Sequence, residues 1–490
     1  MKKVLAFDYG ASSGRAILGS FDGSKLNLTE MHRFPNEPVM VNNSFHWDIL
    51  RLYHELKRGI LECIKNGHQD IVSMGIDTWG VDFGLLDNRG NLLGNPYHYR
   101  DSRTAGMMEA AFGKVSKDEI YQTTGISFNV FNTLYQLLAM KEQNSPQLEK
   151  AETLLFTPDL LNYFLTGEKV SEYTIASTSQ MLQATERDWA KEMLVKLNLP
   201  TGILAKIVQP GTRLGGLRKE LVTEFNCCEM QVVSVAEHDT GSAVAAIPAE
   251  NEKYAYISSG TWSLLGVESP TPLITPATAE LNYTNEGGIN GTYRLLKNII
   301  GLWIYQECKR SWDKNGVSTG FAELEAMAEN ATPFASLIDP DHSLFYGPGN
   351  MPEKIRDFCR STGQKVPETK GEIVRSITES LALKYRIALE GLEEILGYQL
   401  PVIHVVGGGS QNKMLNQFTA DATGKPVIAG PVEATAIGNI IAQLIAIGEI
   451  ANLREARSIV KASFPVREYL PNHTCAWDDA LDKFLKLCLN

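Results

Sequence analysis

Short apolar runs that end in polar turns alternate along this chain with longer stretches whose apolar residues recur at helical spacing. Val4–Phe7 is a four-residue apolar run predicted as a strand, with Ala16–Ser20 as its hairpin partner across the Gly- and Ser-rich turn DYGASSGR. Ser44–Trp47 and Asp48 precede a helix predicted to about Asn66, with Leu50, Tyr53, Leu56, Ile60 and Ile64 on one face. Ile71–Ile76 reads as a buried strand that delivers Asp77-Thr78-Trp79-Gly80 at its C-terminal end, where α/β sheets place ligand sites. Gln231–Val235 does the same for Glu237-His238-Asp239-Thr240, and Gly241-Ser242-Ala243 opens a helix of small residues behind it. Then the opening pattern returns: strand Lys253–Ile257, turn Ser258-Ser259-Gly260-Thr261, strand Trp262–Val267. Further on, Ile377–Ile395 is predicted as an amphipathic helix. Val402–Val406 is a strand running into Gly407-Gly408-Gly409, with a helix predicted over Ser410–Ala420.

VLAFDYGASSGRAIL and YAYISSGTWSLLGV thus share one plan, strand, small-residue turn, strand, about 250 residues apart. A chain of 490 residues exceeds the roughly 250–300 at which one core stops growing, so two related domains are expected. The polar, Pro-containing link IPAENEK places the boundary near residues 245–253, giving domains of 1–248 and 249–490. A net charge of −11 disfavours nucleic acid and anionic lipid as general partners, while a single anionic ligand can still be held by backbone N–H groups and a metal. The apolar run before Asp8 is shorter than the roughly 7–15 residues of a secretory segment, and no window reaches the ~20 of a membrane span. Seven scattered cysteines without C-x-x-C spacing argue against zinc and a disulfide framework, and a reducing cytoplasm is the expected compartment. No heptad or self-complementary strip announces an oligomer, and a monomer is compatible with the sequence.

Five segments carry candidate chemistry. In Asp8-Tyr9-Gly10-Ala11-Ser12-Ser13-Gly14-Arg15, small residues let backbone N–H groups converge on a phosphate, and a strand-end Asp can face hydrated Mg²⁺; an ordinary hairpin turn reads equally well in isolation. Ser258–Thr261 offers the same chemistry from the second domain, and two matching turns make a phosphate clamp. Three consecutive glycines at 407–409 forfeit backbone entropy, so something must approach closely; an adenine or ribose on bare backbone would explain it, as would a flexible connection. Asp239, at a strand end, can accept the proton of a sugar hydroxyl, although an N-cap role is the commoner one for such an Asp. Asp77–Phe83 combines polar groups, an aromatic face and a Gly, as sugar sites do; a core strand with a buried Trp is the alternative.

In this order, DYGASSGR (8–15), GIDTWGVDFGLLD (75–87), YRDSRT (99–104), FNTLYQL (131–137), EHDTGSAV (237–244), SSGTWSL (258–264), NEGG (285–288), LLKNIIGLWIYQE (295–307), VVGGGSQN (405–412) and AGPVEATAIGNI (429–440) resemble the FGGY carbohydrate kinases, essentially from Val4 to Phe464. The resemblance implies an α/β fold of duplicated ribonuclease-H-like, actin-like ATPase domains, with a catalytic cleft between two lobes. It also implies the reaction L-rhamnulose + ATP → L-rhamnulose 1-phosphate + ADP with Mg²⁺, the first lobe binding mainly sugar and the second mainly ATP. Carried over by residue, Asp239 is the expected general base. Gly80, His238, Asp239, Thr240 and Asn298 are the expected sugar contacts, and Ala11, Ser12, Ser13, Gly14, Arg15, Thr261, Gln306 and Gly408 the expected ATP contacts. Asp8 matches the carboxylate that faces the metal through water. Where many relatives have a Lys-x-x-Trp arrangement, this chain reads Asn132-Thr133-Leu134-Tyr135-Gln136-Leu137, which argues against glycerol or xylulose as substrate. No relative's disulfide carries over to Cys63, Cys227 and Cys228, because the surrounding pattern differs. The competing functions are a kinase for another ketose such as L-fuculose and a non-enzymatic actin-like ATPase. A sugar-sensing regulator is disfavoured by the lack of a helix-turn-helix segment or basic patch.

Overall fold

A computed structural model describes residues 1–226, 230–316, 318–472 and 474–488, so Cys227 and Cys228 lie outside the described residues. The chain divides into two compact units that interleave along the sequence. One contains Met1–Pro248, Glu268–Leu295 and Ala434–Ser463; the other contains Ala249–Val267, Leu296–Glu433 and Phe464–Asn490.

In the first unit the opening hairpin forms as its apolar runs require. Lys2–Tyr9 pairs antiparallel with Ser13–Phe21, Asp8 opposite Arg15, and Ser13–Phe21 pairs in turn with Leu26–Pro35. On its other edge Lys2–Tyr9 runs parallel to Ile71–Thr78, which runs parallel to Gln231–Ser234, and Thr212–Gly216 closes the sheet antiparallel. Both expected strands end one or two residues from their predicted bounds. Helix Ile49–Lys65 follows Asp48, whose side chain accepts from Arg51 N–H at 3.1 Å and caps the first turn. Its buried face, Leu52, Leu56, Ile60 and Cys63, packs on the sheet, each aliphatic side chain contributing roughly 1.5–3 kcal/mol by leaving water. Gly59 lets that helix come close: a Cβ there would lie 2.7 Å from the Phe7 ring and 2.8 Å from the Ala16 methyl.

The second unit repeats the strand scheme. Ala255–Ser259 pairs antiparallel with Trp262–Ser269 and parallel with Ile403–Val406, which runs parallel to Val427–Ala429, which meets Arg467–Tyr469 antiparallel. From each hairpin outward the pairing sense is therefore the same in both units: antiparallel, parallel, parallel, antiparallel. The duplication seen in two short sequence stretches extends to five strands. The predicted helix over 377–395 is longer, Lys370–Leu396, because Thr369 and Glu372 form a reciprocal capping box about two turns upstream. The helix expected over Ser410–Ala420 starts later: Gly408–Gln411 is a 3-10 turn and Asn412 caps the helix Lys413–Thr423 through Leu415 N–H at 2.8 Å. Among the described residues no helix is long and apolar enough to cross a membrane, and Cys63, Cys308, Cys359, Cys475 and Cys488 are free thiols.

Candidate active site

Three parallel strands of the first unit end side by side, and their register sets the site. Asp8 lies opposite Asp77 on neighbouring strands, and Thr78 bridges to His238 just beyond the next strand. Asp8 is buried and ion-paired with Arg15. The Gly10–Ser13 turn is tightened by Gly10 N–H donating to Ser13 O at 3.0 Å. It is tied down by Asn36, whose side chain donates to Gly10 O at 2.9 Å. Gly14 is glycine because any Cβ would run into the Phe34 ring. Ala11, Ser12 and Ser13 form the accessible rim of this turn.

Asp239 opens the helix Asp239–Ala245, but His238 is its N-cap and Asp239 is the first residue inside. Asp239 is thus not the N-cap residue, although its side chain takes up one N–H of the first turn. Its Oδ1 accepts from Thr240 N–H at 2.6 Å and Thr240 Oγ1 at 3.2 Å, and lies 3.4 Å from His238 Nε2. The carboxylate stays about a third exposed, at 32%. Burial raises its pKa, the nearby His238 pulls it back, and the charge of Asp8 raises it further, with a net upward shift. Asp77 is fully buried and pushed well above the carboxylate range by burial and then by Asp8. Asn439 Nδ2 donates to Asp77 Oδ2 at 2.6 Å, while Asp77 Oδ1 has no hydrogen-bond partner within the protein. Asn439 and Gln443 share one face of the helix Ala434–Ala446, and Gln443 links Asn439 Oδ1 (2.7 Å) to Leu5 O (3.0 Å). The same helix lies against Asp239–Ala245 through Gly438, where a Cβ would overlap the Ser242 backbone. That contact gives a physical reason for the Gly-Asn pair in AGPVEATAIGNI.

Gly80 follows the Ile71–Thr78 strand, and a Cβ there would sit 3.1 Å from Thr178. Trp79 is buried rather than presented to a ligand. Its indole packs on Trp47 at a centroid distance of 4.1 Å, and both indole N–H groups donate to Asp82 Oδ2, at 2.9 and 2.6 Å. Gln136 Nε2 donates to the other oxygen at 2.9 Å, and burial raises Asp82 to about 6. The core-tryptophan reading of this stretch holds, and Asp82 is the hub that fixes the loop bearing Gly80.

In the second unit, Thr261, Gln306 and Gly408 gather around one turn. Leu302 N–H donates to Gly260 O at 3.0 Å and Trp303 N–H to Thr261 O at 3.1 Å, which brings the helix Trp303–Lys314 up to the turn. Thr261 Oγ1 lies 3.4 Å from Gln306 Oε1. The glycine run meets the same turn from its other side. Gly407 has φ +83° and a Cβ there would be 3.0 Å from Ser259 O; at Gly409 it would overlap the Ser259 side chain. Two of the three glycines are therefore required by the protein's own packing, and only Gly408 faces open space. Asn298 lies half-buried on the strand Tyr293–Ile300 and belongs, like these three, to the second unit.

The sequence relationships bear directly on this geometry. The FGGY carbohydrate kinase N-terminal domain matches residues 3–246 and the C-terminal domain of the same family matches residues 255–447. The chain belongs to the FGGY family of carbohydrate kinases. It is an ATP-dependent sugar kinase. Among FGGY kinases it is 47% identical over 483 residues to a rhamnulokinase of Bacteroides thetaiotaomicron, covering 99% of each chain. It is 42% identical over 466 residues to a rhamnulokinase of Bacillus subtilis, covering 95% of each. In fold it matches a ligand-bound xylulose kinase of Lactobacillus acidophilus (TM-score 0.82, 16% identity, 99% and 98% of the two chains). It also matches a Plasmodium falciparum glycerol kinase with ADP (TM-score 0.78, 17% identity, 100% and 97%). The FGGY-type, actin-like α/β architecture expected from the sequence is the one observed.

Proposed function

We propose that this kinase transfers the γ-phosphoryl group of ATP to the 1-hydroxyl of L-rhamnulose, giving L-rhamnulose 1-phosphate and ADP. The observation that carries the reading is the setting of Asp239. Its carboxylate is partly open, held by Thr240 and His238, and stands at the end of the parallel strands that also carry Asp8. The relatives named rhamnulokinase align over nearly the whole chain, which favours this ketose over L-fuculose or a non-enzymatic ATPase role.

Asp239 takes the proton of O1 as that oxygen attacks the γ-phosphorus; the bond from phosphorus to the β–γ bridging oxygen breaks and ADP leaves. Gly80, His238, Thr240 and Asn298 orient the sugar. Ala11, Ser12, Ser13, Gly14 and Arg15 meet the phosphates from the first unit, while Thr261, Gln306 and Gly408 bind the nucleotide on the second. Residues 1–248 thus bind mainly sugar while also contributing a phosphate turn, and residues 249–490 bind mainly ATP while contributing Asn298 to the sugar. Most of the rate enhancement then comes from alignment and charge neutralisation. Asp8, paired with Arg15, and the buried Asp77, whose Oδ1 has no partner within the protein, are the carboxyls that would face a hydrated divalent cation, whose charge would counter the repulsion that raises Asp77. Among the described residues no three His, Cys, Asp or Glu side chains form a cage for one. Mg²⁺ would therefore be held by Asp8 through water, and when bound it neutralises charge on the phosphates. In the cell the reaction belongs in the cytoplasm, where ATP is available.

Product analysis tests the reading: phosphorus–carbon coupling should place the new ester on C1 of L-rhamnulose. Phosphate on another carbon, or ADP formed at the same rate without sugar, would refute it.

A further inference from the structure

Three of the four residues of the NEGG segment are explained by packing. Asn285 Nδ2 donates to Gly125 O (3.2 Å) and Leu273 O (3.1 Å). A Cβ at Gly287 would lie 2.6 Å from the Tyr173 ring, and one at Gly288 would run into Thr292. Glu286 is different. Its side chain is 7% exposed, and its Oε2 lies 3.1 Å both from Arg294 Nη2 and from His238 Nδ1. Arg294 is wholly buried; its Nε donates to Gly287 O at 2.9 Å and its Nη2 also lies 3.1 Å from His238 Nδ1. On the far side of the imidazole, Nε2 is the atom that faces Asp239 Oδ1 at 3.4 Å.

Arg294, Glu286, His238 and Asp239 therefore stand in a row, and Arg294, Glu286 and Asp239 are the charged groups in contact with the imidazole. A carboxylate can only accept a hydrogen bond, so Arg294 Nη2 donates to Glu286, and each ring nitrogen that carries hydrogen donates to the carboxylate it faces. Burial alone would raise the pKa of Glu286, but His238 and Arg294 outweigh it and hold the carboxyl below its ordinary value. Apolar residues would fill this space without the desolvation cost of two buried ions, which argues for a task beyond packing.

We propose that Glu286, braced by Arg294, is a positioning residue for phosphoryl transfer: it fixes the His238 ring so that Nε2 faces Asp239 and keeps that carboxylate aimed at the sugar hydroxyl. The inference rests on the kinase reading above, with Asp239 as the base. The deciding experiment is a double-mutant cycle on purified enzyme with L-rhamnulose and ATP, comparing wild type, Glu286→Gln, His238→Asn and the double variant. Glu286→Gln keeps the shape and removes the charge. It should lower kcat by ~10–10²-fold, the scale expected for a misaligned catalytic group, with the KM for ATP within about twofold of wild type. Adding it to His238→Asn should cost nothing further, because its effect passes through that ring. A kcat for Glu286→Gln within about twofold of wild type would overturn the proposal, and so would losses that multiply in the double variant. Should Glu286→Gln fail to fold, as judged by its thermal transition, Glu286→Asp keeps the charge, shortens the reach and is read by the same criteria. Wild-type enzyme without sugar-dependent ADP release would instead sink the kinase reading itself.

Discussion

At Asp239 the same carboxylate is pulled two ways, upward in pKa by burial and by Asp8, downward by His238. Only the ionised form can take the sugar's proton, so activity falls as pH drops through a pKa that lies above the ordinary aspartate value. Asp239→Asn should retain nucleotide binding in a titration while kcat falls at least ~10²-fold, the low end for loss of a general base; near-normal turnover would remove Asp239 from the role. The place of Asp239 at a strand end was legible in EHDT because strand, carboxylate and helix start are adjacent in sequence, whereas its role as base came with the family resemblance. Glu286 and Arg294 were not, since their meaning depends on a contact to His238 spanning 56 residues for Arg294, and Asn439 reaches Asp77 across 362. Asp82 carries a different test. Burial raises it to about 6 in the folded state, against 3.8 as its ordinary value. A raised carboxyl stabilises the fold below its unfolded pKa and loses that contribution as pH climbs through the folded one. The denaturation midpoint should therefore decline between pH 4 and 7, with this group's share at most about 3 kcal/mol. Asp82→Asn should remove that share of the slope, and an unchanged slope would contradict the assignment.

Among elements, the glycine run 407–409 shows how a close approach can be located correctly while its cause lies partly in the chain's own packing. Three glycines in a row do mark a close approach, but what approaches Gly407 and Gly409 is Ser259 of the neighbouring strand. Composition alone cannot separate a ligand's approach from that of the chain's own backbone, because both demand a missing Cβ. The two causes differ in what a methyl group does. Gly409→Ala must displace Ser259, so it should lower the thermal midpoint, at a cost of about 1–3 kcal/mol, and raise the KM for ATP. Gly408→Ala meets nothing within the protein, so its midpoint should stay at the wild-type value while the KM for ATP rises. Equal destabilisation of the two variants would contradict this account. Trp79 follows the same pattern: its indole, apt for stacking on a sugar, is committed to Trp47 and Asp82.

Across the whole molecule, the repeat of one hairpin in the sequence stands for five strands paired in the same senses in both units. That duplication was legible because each hairpin is local. The interleaving was not: Glu268–Leu295 and Ala434–Ser463 join the first unit, where they bring Glu286, Arg294 and Asn439 to the strand ends that carry Asp8 and Asp239. A linear division of the chain therefore separates these residues from the site they serve. The assembled site is proposed above as a ketose 1-kinase for L-rhamnulose. Its most direct test is the initial rate of ADP release with L-rhamnulose, L-fuculose, L-xylulose and glycerol as acceptors at a fixed ATP concentration. The value of kcat/KM should be highest for L-rhamnulose, and release without acceptor should be negligible. A higher kcat/KM for any of the other three, or ADP release indifferent to sugar, would contradict the proposal.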